Sequence, residues 1–404
     1  MKGSPPIAVS LSASAGAWSA EVDLDTAIAD LVERDAVEIP PYPAVAMKLE
    51  RLVGGGDFGL DELARLVASD QALAADVLRC ANSAAFARGG PVASVPQAVA
   101  RIGAGELSRI AFASALSGRA LSRGPLALLR RRVWHDAVAS AVLARELARP
   151  RGLARDEAFA CGLLHDFGRV LALECLERIA RGTRHPRAMP SRFWEAVVDS
   201  HHVRLGAVLA AKWALPQVLV EAITLHHDED LPAARHPEMV RAVALCDRLV
   251  RLLDDRSHVG LADVTAIQQL GEEETEALVR GIEVVPGFVA AFEREVPAPD
   301  RGLLEAASAP PARSPRGPLG VRVGGESYAV TGFASHQLVL KGQAPLPEGA
   351  LLEVAIDEVP PVHFHARVLL CWEEAGRFGV VLMPFALAGP ALLRWQGLSG
   401  MAEG

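Results

Sequence analysis

GLLHDFGR, residues Gly162 to Arg169, sits in the middle of an apolar run, AFACGLLHDFGRVLAL. A helix this apolar is normally buried on every side, so its histidine, aspartate and arginine must be paired, metal-bound or very costly. Read as one helix, Phe159, Leu163, Asp166, Val170 and Leu173 follow a spacing of 4, 3, 4 and 3. That spacing puts Asp166 in a core position, with His165 before it and Arg169 one turn on from His165.

The same pattern returns further along. In VVDSHHVRLGAVLAAKW, Val198, His202, Leu205 and Leu209 share a stripe that turns His202 inward and leaves His201 open. In PQVLVEAITLHH, Leu219 and Ile223 point toward His226 and His227, and in MVRAVALCDRLVRLL the stripe of Val240, Val243, Val250 and Leu253 includes Asp247. His135, beside Trp134, lies in another long apolar helix. A single buried His or Asp is most often a hydrogen-bonded core residue. Several buried together leave desolvated carboxylates, at roughly several kcal/mol per uncompensated charge. A divalent metal (iron, manganese or similar) would cancel that charge and use the imidazoles as neutral ligands. His135, His165, Asp166, His202, His226, His227 and Asp247 are therefore candidate ligands, although helix faces alone do not bring them together.

At 404 residues the chain is long enough for two or three domains. Half its residues are hydrophobic and only 5% aromatic, which favours helices packed through small side chains. A net charge of -8 with no basic domain argues against nucleic acid as a partner. The five cysteines form no C-x-x-C pair and read as buried thiols in a reducing cytoplasm. Residues 1–23 read as a disordered leader, and no run reaches the roughly 18 to 20 apolar residues that span a bilayer.

Two helical parts, 24–124 and 125–295, are expected to precede a Pro- and Ala-rich linker at 296–318. In the first part Asp70 is a natural N-cap, while Ser94, Pro96 and Gly103 bracket a short helix. Over 319–398 the period becomes alternating. VHFHARVLLCW sets Val362, Phe364, Ala366, Val368, Leu370 and Trp372 on one face, and EEAGR turns the chain into FGVVLM. With ESYAV, HQLVL and ALLEVAI this predicts a small antiparallel β-barrel, closed by a short helix at GPALLRWQGL. The fold class is an all-α module followed by that barrel.

The order H, HD, H, HH, D across the second helical part resembles the HD superfamily of metal-dependent phosphohydrolases. The resemblance implies that His135, His165, Asp166 and Asp247 are mononuclear ligands. It implies that His202 and one of His226 and His227 are the added ligands of binuclear members. It also makes Arg169 a candidate charge stabiliser. No GYP follows His227, so likeness to the cyclic di-GMP phosphodiesterase branch stops there. A longer resemblance runs from Glu38 to about Asp247. IPPYPAVAMKLERLV, LARLVASDQALAADVLRCANSAAF, SVPQAVARIG, GLLHDFGR and HHVRLGAVLAAKWALPQVLVEAITLHH are similar to the HDOD family of bacterial signalling output domains. That family is generally regulatory.

Residues from Leu319 to about Gln396 resemble a PilZ domain, the small barrel that binds cyclic di-GMP in many proteins. Its R-x-x-x-R motif is met only by Arg313 and Arg316, spaced one residue too short. Of its D/N-x-S-x-x-G motif Ser335 fits, while Phe333 and Leu338 stand where an acid or amide and a glycine belong. These departures argue against cyclic di-GMP as a ligand of the usual kind. His363 and His365 share a strand face as ordinary exposed residues. Three functions follow: a mainly non-catalytic signalling adaptor with other signalling proteins as partners, a metal-dependent phosphohydrolase on a nucleotide or phosphoester, and a cyclic di-GMP receptor.

Overall fold

The apolar run around His165 folds as two helices, not the single one its spacing suggests. The first ends at Leu164, and Asp166 (φ −106°, ψ 9°) stands before the second, which begins at Phe167. Asp166 thereby becomes the corner between two helices, where a carboxylate can face more than one neighbouring element.

The computed structural model describes residues 23–54, 59–83, 86, 90–184, 186–254, 269–292, 303–304, 319–334, 337–356, 362–374 and 376–385. Among the described residues six helices come first: α1 (Leu24–Glu33), α2 (Ala44–Gly54), α3 (Leu60–Ala68), α4 (Gln71–Asn82), α5 (Val95–Ile102) and α6 (Ala104–Ala120). The site is built on α7 (Ala127–Ala148), α8 (Arg155–Leu164), α9 (Phe167–Gly182), α10 (Ser191–Lys212), α11 (Gln217–Leu225) and α12 (Pro237–Asp254), with α13 (Glu272–Phe292) beyond. Asp70 caps α4 by accepting from the amides of Ala72 and Leu73, at 2.9 and 3.1 Å. Ser94 stands at the start of α5 but makes no side-chain cap, so Pro96 and the left-handed Gly103 (φ 82°) mark that helix instead.

One apolar core runs from α1 to α13, so the two helical parts share a single interior. Its axis is α7, which packs on α6, α8, α9, α12 and α13. The sequence RRRVWHD on α7 sends its polar side chains outward in different directions, as a step of about 100° per residue requires. Arg130 is fully buried and paired with Glu177 at 2.6 Å, while Arg132 reaches Glu195 at 3.1 Å. Within the expected linker, Leu303 and Leu304 are buried against the helices, and the Leu303 carbonyl accepts from Trp194 Nε1 at 2.8 Å. The rest of 296–318, the leader over 1–22 and the expected terminal helix at GPALLRWQGL lie outside the described residues. Among the described residues no helix is long and apolar enough to cross a membrane. Four cysteines are buried and Cys371 is partly covered; burial pushes the Cys161 and Cys246 thiols up to about 12.

The second core belongs to a closed antiparallel barrel in the order β1-β2-β3-β6-β5-β4. Its strands are β1 (Gly320–Val323), β2 (Glu326–Ala334), β3 (Gln337–Gly342), β4 (Leu351–Ile356), β5 (Val362–Glu374) and β6 (Arg377–Phe385). The alternation expected for β5 holds at Phe364, Ala366 and Val368 and then shifts. A bulge between Val368 and Leu370 changes the register, so Cys371 packs on the barrel core where Leu370 and Trp372 were expected. Trp372 instead lies over its cross-strand partner Gly379, where a Cβ would have no room. The outer face of the barrel docks on the helices: β4 meets α13, β6 meets α12, and Leu351 and Phe385 join the helical core.

Candidate functional site

Asp166 is the hub of a buried cluster assembled from α8, α9, α10, α11 and α12. Its Oδ1 lies 3.5 Å from His202 Nε2 and 3.4 Å from His226 Nε2. His165 Nε2 lies 3.6 Å from Asp166 Oδ2 and 3.6 Å from Asp247 Oδ1, and His202 Nε2 is 3.0 Å from His227 Nε2. Contacts of 3.4–3.6 Å are long for hydrogen bonds. They match the spacing of about 3.4 Å between ligand atoms sharing one tetrahedral ion.

The histidines are already set in the tautomer a metal needs. Nδ1 faces a backbone carbonyl in each: Gly162 O at 2.8 Å for His165, Asp199 O at 2.8 Å for His202, and Ala222 O at 3.0 Å for His226. A carbonyl can only accept, so Nδ1 donates and each neutral ring presents a lone pair at Nε2. Three buried atoms, His165 Nε2, Asp166 Oδ1 and His226 Nε2, make no hydrogen bond. Such orphaned buried acceptors are costly unless a cation or proton joins them.

Two arginines frame the carboxylates. Arg169 Nε donates to Asp166 Oδ2 at 2.6 Å and its far end pairs with Asp199; Arg251 pairs with Asp247. Arg169 follows Asp166 by three residues and Arg251 follows Asp247 by four, the spacing at which side chains meet on a helix, so the sequence itself carries the signal for Arg251. Burial pushes the Asp166 carboxyl up, but Arg169, His165, His226 and His202 together hold it well below the usual carboxylate range. Asp247 is likewise held low, by His165 and Arg251 against burial. Burial would lower His165, yet Asp166 and Asp247 outweigh it and raise the ring, while burial dominates at His202 and lowers it to about 4.

The cluster excludes one expected ligand. His135 is fully buried, but it faces the barrel: its Nδ1 accepts from Arg367 Nη2 at 3.2 Å and its ring lies 6.3 Å from that of Phe385. It is absent from both groups whose atoms converge, Asp166–His202–His226–His227 and His165–Asp166–Asp247. A helical stripe shows that His135 points inward; the barrel that it meets is more than 200 residues away in sequence, which no local spacing reveals. His201 also lies elsewhere, bonded to Asp25 at 2.8 Å and tying α10 to α1. Arg313, Arg316 and Ser335 lie outside the described residues. His363 is exposed beside Glu353 at 3.4 Å, and His365 is half-buried rather than exposed.

Beside the cluster opens a cavity of about 430 Å³, lined by Asp166 and Asp247 together with Asp136, Arg169, Arg192 and Arg251. The donor set fits a divalent metal, held by His165, Asp166 and Asp247 or by Asp166, His202, His226 and His227. A metal there would supply Lewis acidity and an acidified water.

The His202 shift has a testable sign. Its ring binds a proton near pH 6.5 when unfolded but only near 4 when folded, so the unfolded chain gains protons first. Stability of the chelator-treated protein is expected to fall as pH drops from about 6.5 to about 4. Urea unfolding across that window should show a shallower slope for His202→Gln. His165 works in the opposite sense: its raised folded value gives stability that is complete below about 6.5 and lost as pH rises through it.

Comparison with known proteins places the helical half. Residues 39–229 match the family model of the HDOD domain. An uncharacterized protein of Treponema pallidum (strain Nichols) is 28% identical over 238 residues, 57% of this chain; the chain spans only 45% of that relative's length. A crystal structure from Shewanella amazonensis SB2B, provisionally named a metal-dependent phosphohydrolase, is similar with a TM-score of 0.53 at 19% identity, over 67% of this chain and 98% of that one. An HDOD domain protein of unknown function from Geobacter sulfurreducens gives a TM-score of 0.47 at 21% identity, over 68% and 98% of the two chains. At 19% identity the Shewanella structure establishes a shared fold and nothing about activity.

Proposed function

Residues 39–229 match the HDOD domain, and on that premise we propose that the chain is a bacterial signal-transduction regulator, acting in the cytoplasm. Its HDOD module serves mainly as a non-catalytic protein-interaction output, coupled to a PilZ-like barrel. One observation carries this reading. The carboxylates of the cluster are neutralised by Arg169 and Arg251, and His135 is engaged with Arg367 of the barrel. A hydrolytic centre of the resembled kind needs its ligand set complete, and His135 stands outside the groups that converge. Here the polar groups instead brace helices and join the two folded parts. The six-stranded closed barrel supports the PilZ-like reading, and the broken motif residues support a structural or partner-binding role over cyclic di-GMP binding.

The orphaned Nε2 atoms of His165 and His226 favour a second reading, a metal-dependent phosphohydrolase. Under it His165, Asp166 and Asp247 would hold the metal, with His202, His226 and His227 available for a second ion or the substrate phosphate, and Arg169 would steady an anionic substrate. Elemental mass spectrometry and a phosphoester screen on the purified full chain decide between them, with Asp166→Asn alongside. The regulatory reading expects no turnover above that variant's background, whether or not about one equivalent of metal is retained. Metal-dependent hydrolysis that disappears in a folded Asp166→Asn protein would overturn it.

A further inference from the structure

The barrel reaches the cavity through one buried arginine. Arg367 sits on β5 but points away from the barrel core and is 3% exposed. Its Nη2 is 3.2 Å from His135 Nδ1 and 3.6 Å from Asp136 Oδ1, and its guanidinium lies 5.3 Å from the centroid of the Phe385 ring. Asp136 in turn lines the cavity that holds Asp166 and Asp247. One carboxylate therefore stands between a cation fixed in the barrel and the place where buried lone pairs converge.

We propose that Arg367 of the barrel sets the divalent-cation affinity of this cavity through Asp136, so that barrel docking and cation binding oppose each other. The physical argument is charge balance. Arg169 and Arg251 already offset Asp166 and Asp247, and Arg132 is paired with Glu195. Asp136 is a lining acid whose charge is drawn toward the barrel, and a pair with one member buried and the other partly covered interacts strongly because water screens it poorly. With Arg367 docked, Asp136 contributes less negative potential to the cavity; with the barrel lifted, the part of its charge that Arg367 offsets is restored. Linkage makes the effect reciprocal, so a bound cation loosens the barrel. A signal at the barrel could thus be read at the helical module, and the reverse, without any chemistry at the site.

This inference rests on the regulatory reading above. Its test is calorimetric titration of Mn²⁺ into the metal-stripped full chain. Arg367→Met should bind Mn²⁺ about 5-fold or more tightly than wild type, the lower end of ordinary coupling energies. Arg367→Lys, which keeps the charge, should stay near wild type. Asp136→Asn should bind more weakly, and adding Arg367→Met to it should restore nothing. If Arg367→Met also unsettles the barrel, the Asp136→Asn and Arg367→Lys arms still decide. Equal affinities in wild type and Arg367→Met, a gain that persists with Asp136→Asn, or no Mn²⁺ binding by any of the proteins would overturn the proposal. Hydrolysis in the phosphoester screen would sink the non-catalytic reading while leaving an affinity shift intact, so the two failures are distinguishable.

Discussion

Replacing Asp166 by alanine is expected to lower the unfolding free energy by about 3 kcal/mol or more. The carboxylate touches Arg169 and faces three imidazoles, and its removal leaves a largely covered guanidinium paired with the exposed Asp199. The loss comes chiefly from groups left behind, which is why the lower part of the usual range for a broken buried pair is the appropriate one. Asp166→Asn should cost less, because an amide keeps the shape and can donate to one Nε2 lone pair. Denaturant unfolding followed by circular dichroism checks the order. The acid limb gives a second reading: the depressed Asp166 carboxyl contributes stability that is complete above about pH 4 and lost as pH falls through its lower folded value. In either variant the loss of stability below about pH 4 should be visibly shallower. A truncation that costs less than about 1 kcal/mol would mean the cluster is not the brace described here.

Much of this was legible in the chain. Helical stripes brought His165, Asp166, His202, His226 and Asp247 to inward faces, and all of them converge. The change to an alternating period marked five of the six described strands, leaving out the short β1, and held in β5 through Val368. The run through His165 keeps a helical spacing across a break, because α8 and α9 both need apolar residues at their junction. His135 was read as a ligand because inward-facing is all that a stripe can say; which neighbour it meets depends on where the barrel docks. The bulge in β5 changes the facing of Leu370 and Trp372 by one inserted residue, and period alone cannot place an insertion. The carboxylates were expected to need a metal for charge balance, whereas Arg169 and Arg251 supply much of it locally.

The glycines of GLLHDFGR make up the remaining part of the motif, and they carry the second large expected effect. A Cβ on Gly168 would overlap the His202 carbonyl oxygen and come 2.7 Å from the Gly206 nitrogen, both backbone atoms of α10. A Cβ on Gly162 would lie 2.7 Å from Ala141 Cα and 2.7 Å from Ser140 O, on α7. The motif therefore holds its histidine and aspartate between two places where helix backbones touch, and neither contact has a flexible side chain that could yield. Gly168→Ala is expected to cost more than the roughly 1–3 kcal/mol of ordinary overpacking, because α9 and α10 must separate as units. Separation also carries His202 away from Asp166, so loss of stability and loss of Mn²⁺ affinity should come together in this variant. Gly206→Ala meets only the Ile223 Cγ2 methyl, at 2.6 Å, and should be milder. Gly118→Ala on α6 meets nothing within 4 Å and should be neutral or stabilising by about 0.5–1 kcal/mol through helix propensity alone. Thermal unfolding of the three variants should rank them in that order. A Gly168→Ala protein as stable as wild type would show that α9 and α10 do not approach this closely, and with that the geometry placing His202 at the cluster would fall.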